Sequence, residues 1–157
     1  MRLKEAVTTS SRFVPAGVIA ALVLSINPGM ASASEGRSGE LHVTKECSQD
    51  KGNPGDFCTI TYSNLTEITV GAKVFYDQAI NIPKGLLDSN VVLDAGNGNR
   101  ALGRCTLDLT TALGLCTFSD GTGDFAGFHA RVQVDCRSGC RWDGTYSFKP
   151  ESGGEDR

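Results

Sequence analysis

The chain has 157 residues, of which 39% are hydrophobic, and is long enough to form one domain with a hydrophobic core. Its 15 basic and 18 acidic side chains leave a net charge of −3 at pH 7. This acidic balance argues against a nucleic-acid-binding protein and against adhesion to anionic lipid, because both need a concentrated basic face.

The N-terminal segment 1–33 has the pattern of a secretory signal peptide. Basic residues precede the apolar run 14–26, and Ala31-Ser32-Ala33 then provides the small side chains of a cleavage site. A membrane anchor fits less well, because a span needs about 20 apolar residues and prolines interrupt this stretch. We therefore predict a signal peptide over 1–33 and one domain over 34–157, with its core at 41–148. The expected product is a secreted or cell-surface protein without a membrane anchor.

Between residues 40 and 148, apolar side chains recur at every second position, and glycine, asparagine, aspartate and proline separate the apolar segments. This pattern predicts about eight strands and no helix. The first predicted strand opens at 41–43. The others, in chain order, are 57–62, 66–77, 90–95, 101–109, 114–119, 125–135 and 142–148. Closing eight strands removes the exposed edges of an open sheet, which favours a barrel over a sandwich. The interior of such a barrel is either filled by side chains or lined around one small ligand.

All six cysteines follow the predicted signal peptide, and an even number in an exported chain indicates disulfides. We predict sequential pairing, because each successive pair brackets a segment rich in turn-forming residues. The predicted bonds are Cys47–Cys58, Cys105–Cys116 and Cys136–Cys140. A zinc site is the alternative for the last pair, but no second close cysteine pair and no histidine pair completes it, so no metal is predicted.

The glycine-rich segment Ser119–Asp124 leads into an alternating strand and not into a helix. A phosphate-binding loop needs a helix N-terminus after the glycines and usually a lysine, and neither follows here. The carboxylates of Asp120 and Asp124 would also repel phosphate. The segment is therefore predicted to be the turn of a hairpin.

This hairpin, CTFSDGTGDFAGFHARVQV (116–134), and the downstream WDGTYSF (142–148) resemble a signature of the allene oxide cyclase and dirigent-protein barrel superfamily. The family carries Gly-Gly-Thr-Gly-x-Phe at the turn, with Asp120 here in place of the first glycine. The matching residues are Gly121, Thr122, Gly123, Phe125 and Gly127. The resemblance extends to exported bacterial members and covers about 41–148. It implies an eight-stranded antiparallel barrel with an apolar cavity that steers a reactive ligand by shape, without a cofactor.

Side chains on the apolar strand faces are the candidates for contact with a ligand. Alternation places each tyrosine on an apolar face, and a buried phenol needs a hydrogen bond that a ligand can supply. The predicted ligand-binding residues are Tyr62, Tyr76, Phe128 and Tyr146. The candidates for catalysis are His129 and Arg104. Alternation from Phe125 places His129 on the outer face, unless a bulge near Gly127 reverses it.

Three functions remain open at this point. The first is a secreted barrel that binds a small, largely apolar molecule in its interior. The second is a cofactor-free isomerase or cyclase that acts by confining its substrate. The third is a structural or interaction module with a filled interior. A cavity above about 300 Å³ with converging phenols favours the first two, and an ionisable group inside it favours the enzyme. The oligomeric state stays open.

Overall fold

The computed structural model describes residues 36–149 as eight strands in one sheet. The strands are β1 (Ser38–Glu46), β2 (Phe57–Ser63), β3 (Lys73–Tyr76), β4 (Leu86–Asp94), β5 (Arg100–Asp108), β6 (Leu113–Thr122), β7 (Phe128–Asp135) and β8 (Cys140–Phe148). Every strand is antiparallel to its neighbours in the chain, and β1 also pairs with β8, which closes the ring. The predicted closed eight-stranded antiparallel barrel is therefore confirmed.

The loops add two short 3₁₀ helices, at Ile82–Lys84 and Gly123–Phe125. Within residues 36–149, no helix has the length and apolar character needed to cross a membrane. The predicted signal peptide over 1–33 lies outside the described residues.

The predicted strand 66–77 is wrong over most of its length, because only Lys73–Tyr76 is extended. The amide groups of Ile68 and Ala72 close two backbone turns. Both of these side chains are buried, whereas Val70, which alternation placed on the same face, is 70% exposed. The spacing of apolar residues along this segment therefore reflects turns that bury Ile68 and Ala72, and not a continuous strand.

The three disulfides lie at one end of the barrel, which we call the disulfide end. The loops β1–β2, β3–β4, β5–β6 and β7–β8 all lie at this end, because successive strands run in opposite directions. The observed bonds are Cys47–Cys58, Cys105–Cys116 and Cys136–Cys140, which confirms the predicted pairing. Cys105 and Cys116 are opposite each other in the β5–β6 ladder and are buried inside the barrel.

Aromatic side chains fill the opposite end, which we call the aromatic end. The ring centroid of Phe128 lies 5.3 Å from that of Phe125 and 5.1 Å from that of Phe148. Phe118 continues the contact inward to Trp142, with centroids 5.5 Å apart. Phe125, Phe128 and Trp142 are completely shielded from solvent. Tilted and edge-on ring pairs of this kind add to the free energy gained from burial. The aromatic end is therefore closed by packing.

The barrel wall contains a glycine at a position where a side chain would collide with the backbone of the neighbouring strand. Gly144 of β8 lies between Leu41 of β1 and Val132 of β7 in the ladder. A Cβ atom at this position would lie 2.1 Å from the carbonyl oxygen of Arg131 and 2.7 Å from the Cα of Val132. The absence of a side chain thus permits the close approach of β7 and β8 at this position.

The Cys136–Cys140 bond closes the tightest loop, with a sequence separation of 4. Replacing both cysteines with alanine is expected to lower the free energy of unfolding by about 2 kcal/mol, because a short loop restricts the unfolded chain only modestly. Urea denaturation of the variant and the parent protein measures this difference. Ser138→Ala in the same exposed turn is the control, and its effect is expected within about 0.5 kcal/mol. An unchanged midpoint in the double variant would contradict the expectation.

Candidate functional site

A lysine side chain points into the barrel at the disulfide end. In β1, the buried residues are Leu41, Val43 and Lys45, every second position along the strand. Because side chains alternate across a strand, Lys45 follows the two apolar residues onto the inner face. Only 7% of its surface is exposed to solvent. The sequence thus inserts one amine into an apolar layer of the core.

The amine of Lys45 is held by aromatic groups. Nζ donates a hydrogen bond to the phenol oxygen of Tyr76 on β3, at 2.5 Å. It also lies 4.8 Å from the ring centroid of Trp142, a distance at which an ammonium group is attracted by the π-face. The Tyr76 oxygen lies 3.7 Å from the sulfur of Cys58, so the phenol connects the amine with a disulfide. Within residues 36–149, the buried indole nitrogen of Trp142 has no hydrogen-bond partner.

Burial determines the protonation states of the Lys45 amine and the Tyr76 phenol. Loss of water contact lowers the pKa of Lys45 from 10.5 to about 7, and the negative charge of Asp50 opposes this change. Burial also raises the pKa of the Tyr76 phenol, and Asp50 adds to that increase. Near pH 7, a large fraction of the Lys45 side chains is therefore uncharged, while Tyr76 keeps its proton.

Lys45 and Tyr76 line a cavity of about 150 Å³ at the disulfide end. Atoms from all three disulfides contribute to its wall, together with aliphatic side chains such as Leu87 and Val134. The titratable groups in the lining are Lys45, Asp50 and Tyr76. The volume is below the roughly 300 Å³ typical of sites for drug-sized ligands, but an apolar cavity of about 150 Å³ holds a molecule of the size of benzene.

The cavity contains one of the four predicted ligand-binding residues, Tyr76. Phe128 also points into the barrel, but it belongs to the ring cluster at the aromatic end. Tyr146 is half-buried near that same end, where its ring packs edge-on against Phe148. The structure therefore places Tyr76 at one end of the barrel and Phe128 and Tyr146 at the other.

The predicted inward orientation of Tyr62 is wrong. Its side chain is 52% exposed on the outer surface. In the β1–β2 ladder, Thr44 pairs with Tyr62 but Lys45 pairs with Ile60, so Thr61 is an extra residue in β2. Such a bulge reverses the alternation beyond it, and Tyr62 consequently points away from the interior.

The two candidate catalytic residues do not face the cavity. Arg104 is exposed on β5, where its guanidinium group forms an ion pair with Asp88 at 2.8 Å. His129 lies on the outer side of β7, paired with Ser147 of β8. It contributes to an open groove of about 650 Å³ on the barrel surface. Neither side chain is thus placed to act on a molecule beside Lys45.

The sequence-based predictions did not include Lys45, although the alternation of apolar residues in β1 indicates that its side chain faces the interior. The segment Leu41–Lys45 alternates, and the same parity that buries Leu41 and Val43 assigns Lys45 to the interior. A lysine is rarely fully buried, which is why such a residue is easily assigned to the surface. The pattern that identifies this site is therefore a charged residue at a strand position whose side chain should point to the same face as the neighbouring apolar residues.

Comparisons with protein-family models, curated proteins and solved structures found no match to this chain. Within the described residues, no three histidine, cysteine, aspartate or glutamate side chains are grouped closely enough to hold a metal ion. The chemistry of the cavity itself is therefore what indicates a function.

Proposed function

We propose that this protein binds a small, largely apolar molecule carrying an oxygen atom in the cavity at the disulfide end. The observation that supports this most is a lysine amine buried in a largely apolar wall, with a phenol as its hydrogen-bond partner. Burying an amine costs folding free energy, and an aliphatic side chain would fill the same space without that cost. Ionisable groups with strongly displaced pKa values occur preferentially at binding and catalytic sites.

The Lys45–Tyr76 pair supplies the polar part of the proposed site. Tyr76 keeps its proton and Lys45 carries amine protons, so both side chains can donate to an oxygen atom of the ligand. The aliphatic and disulfide groups around them accommodate the hydrocarbon part. The cavity volume of about 150 Å³ limits the ligand to roughly the size of benzene.

Export and family membership belong to the same proposal. Disulfides form and persist in oxidising compartments, and three of them support a protein that functions outside the cytoplasm. The pattern at 1–33 supports secretion as the route. The hairpin signature at 116–134 supports a relationship to the allene oxide cyclase and dirigent-protein barrels, in which a cavity steers its ligand by shape.

A second candidate function is a cofactor-free isomerase or cyclase, and the pKa of Lys45 favours it. An amine with a pKa of about 7 can accept a proton from a bound molecule near neutral pH, and Tyr76 can donate one. The two functions differ in outcome, because an isomerase returns a changed molecule whereas a carrier releases the molecule it bound.

Binding of pentan-1-ol and benzene, which have the same number of non-hydrogen atoms, tests the proposed site. We expect both to bind the parent protein and to shift the NMR signals of the Leu87 and Val134 methyl groups, which line the cavity. In Lys45→Met, pentan-1-ol is expected to bind about tenfold more weakly, because one hydrogen bond is lost. Benzene is expected to retain its affinity, because it uses only the apolar wall.

Tyr146→Phe is the matched control, because it removes a phenol at the aromatic end and should leave both affinities unchanged. Methyl shifts confined to the aromatic end, or no binding of either probe, would overturn the proposal. Equal loss of benzene and pentan-1-ol affinity in Lys45→Met would show that the amine supports only the shape of the cavity.

A further inference from the structure

The Lys45 amine lines a cavity and has aromatic groups, Tyr76 and Trp142, as close neighbours. Among the described residues, Tyr76 is the hydrogen-bond partner of Nζ, and no carboxylate forms an ion pair with it. The side chain lines a cavity, so a small molecule inside that cavity can approach it. A buried lysine that served only to balance charge would be expected beside a carboxylate.

Building on the proposed ligand site, we propose that Lys45 binds small aldehydes covalently, as a reversible imine within the cavity at the disulfide end. The substrate class is set by the cavity of about 150 Å³, which admits aldehydes of roughly the size of benzene.

The bond changes involve only the amine, the aldehyde and one water. The nitrogen lone pair attacks the carbonyl carbon, and a proton moves from nitrogen to oxygen to give a carbinolamine. The carbon–oxygen bond then breaks, the hydroxyl group leaves with a proton as water, and a carbon–nitrogen double bond forms. One aldehyde and one amine give one imine and one water, without oxidation or reduction. The Tyr76 phenol, 2.5 Å from Nζ, is placed to relay the proton.

The electrostatics of the cavity support this chemistry. A solvated lysine with a pKa near 10.4 is neutral in about one molecule in 2,500 at pH 7. Burial brings the pKa of Lys45 to about 7, so roughly half of its amines are neutral there. A lysine desolvated in an apolar site is a recognised activated nucleophile. The other titratable groups in the lining are Asp50, whose charge favours the ammonium form, and Tyr76, whose phenol oxygen accepts a hydrogen bond from Nζ.

The disulfides make the cavity selective for amine chemistry. Thiols compete with amines for aldehydes, but every cysteine of the described chain is in a disulfide. The sulfur atoms therefore form part of an unreactive apolar wall around Lys45.

Trapping with pentanal and sodium cyanoborohydride tests the inference on the intact folded protein. The reagent reduces an imine to a stable pentyl-amine, and peptide mass spectrometry then reports the modified fraction of each lysine. At pH 7, we expect Lys45 to be modified at least about tenfold faster than the exposed Lys51 and Lys84, because of its larger neutral fraction. This ratio is expected to fall towards one as the pH rises to 10, where solvated lysines also become neutral.

The variants separate chemistry from cavity shape. Lys45→Met should abolish the labelling at this position and leave that of Lys51 and Lys84 unchanged. Tyr76→Phe should slow the labelling of Lys45 about tenfold while benzene still binds, because it removes the proton relay and keeps the cavity. No label on Lys45 in a protein that binds pentan-1-ol would overturn the imine and leave the proposed function intact. Failure of both pentan-1-ol binding and Lys45 labelling would overturn both.

Discussion

Replacing Lys45 with methionine is expected to remove a pH dependence of about 4 kcal/mol from the free energy of unfolding between pH 6 and pH 10. In the unfolded chain, the pKa of Lys45 is 10.5, whereas burial lowers it to about 7 in the folded barrel. Between these values the unfolded state binds more protons, so the stability of the parent protein rises with pH. The destabilising effect is complete below pH 7 and is lost above pH 10.5.

At pH 6, Lys45→Met is therefore expected to be more stable than the parent protein by about 3 kcal/mol, after allowance for the lost hydrogen bond to Tyr76. Urea denaturation at pH 6 and pH 10 measures the change. Lys51→Met is the matched control, because it makes the same substitution on an exposed side chain and should shift stability by less than about 0.5 kcal/mol. A stability difference that is identical at both pH values would show that Lys45 stays charged in the barrel.

Gly144→Ala is expected to lower the free energy of unfolding by about 3 kcal/mol or more, at the upper end of the range for overpacking. The added Cβ would lie 2.1 Å from the carbonyl oxygen of Arg131, which belongs to the β7 backbone. Because a backbone atom cannot rotate away, β7 and β8 must separate at this point. The loss of their ladder contacts then adds to the steric cost.

The denaturation midpoint of Gly144→Ala, compared with that of Gly39→Ala, measures this effect. The nearest atoms to a Cβ at Gly39 would be those of the half-buried Tyr146 side chain, the closest at 3.2 Å, and a side chain can adjust by a small rotation. We expect the Gly39 variant to remain within about 1 kcal/mol of the parent protein. Equal effects of the two substitutions would contradict a backbone clash at Gly144.

Alternation and turn chemistry in the sequence were sufficient to predict the strand count, the closed barrel and the disulfide pairing. Each cysteine pair brackets a segment that must turn, and consecutive antiparallel strands bring the ends of such a segment together. Alternation within one strand is a local property, so β1 and β7 could be assigned to inner and outer faces without knowledge of their partners.

Features that depend on two strands at once were not accessible in this way. The bulge at Thr61 exists only in the register between β1 and β2, and it reversed the orientation predicted for Tyr62. Contacts between rings from distant strands decide which part of the interior is filled and which part stays open. The packed aromatic end and the small cavity beside Lys45 therefore could not be predicted from the sequence. Lys45 itself was detectable from parity, but its chemical type suggested a surface position.

The packed rings of Phe125 and Phe128 have a kinetic consequence for any occupant of the cavity. They close the aromatic end of the barrel, so a molecule must enter and leave through the same passage between the loops of the disulfide end. A second molecule cannot enter the cavity until the bound molecule has left. The rate of exchange therefore equals the dissociation rate of the bound molecule and does not depend on the concentration of the second.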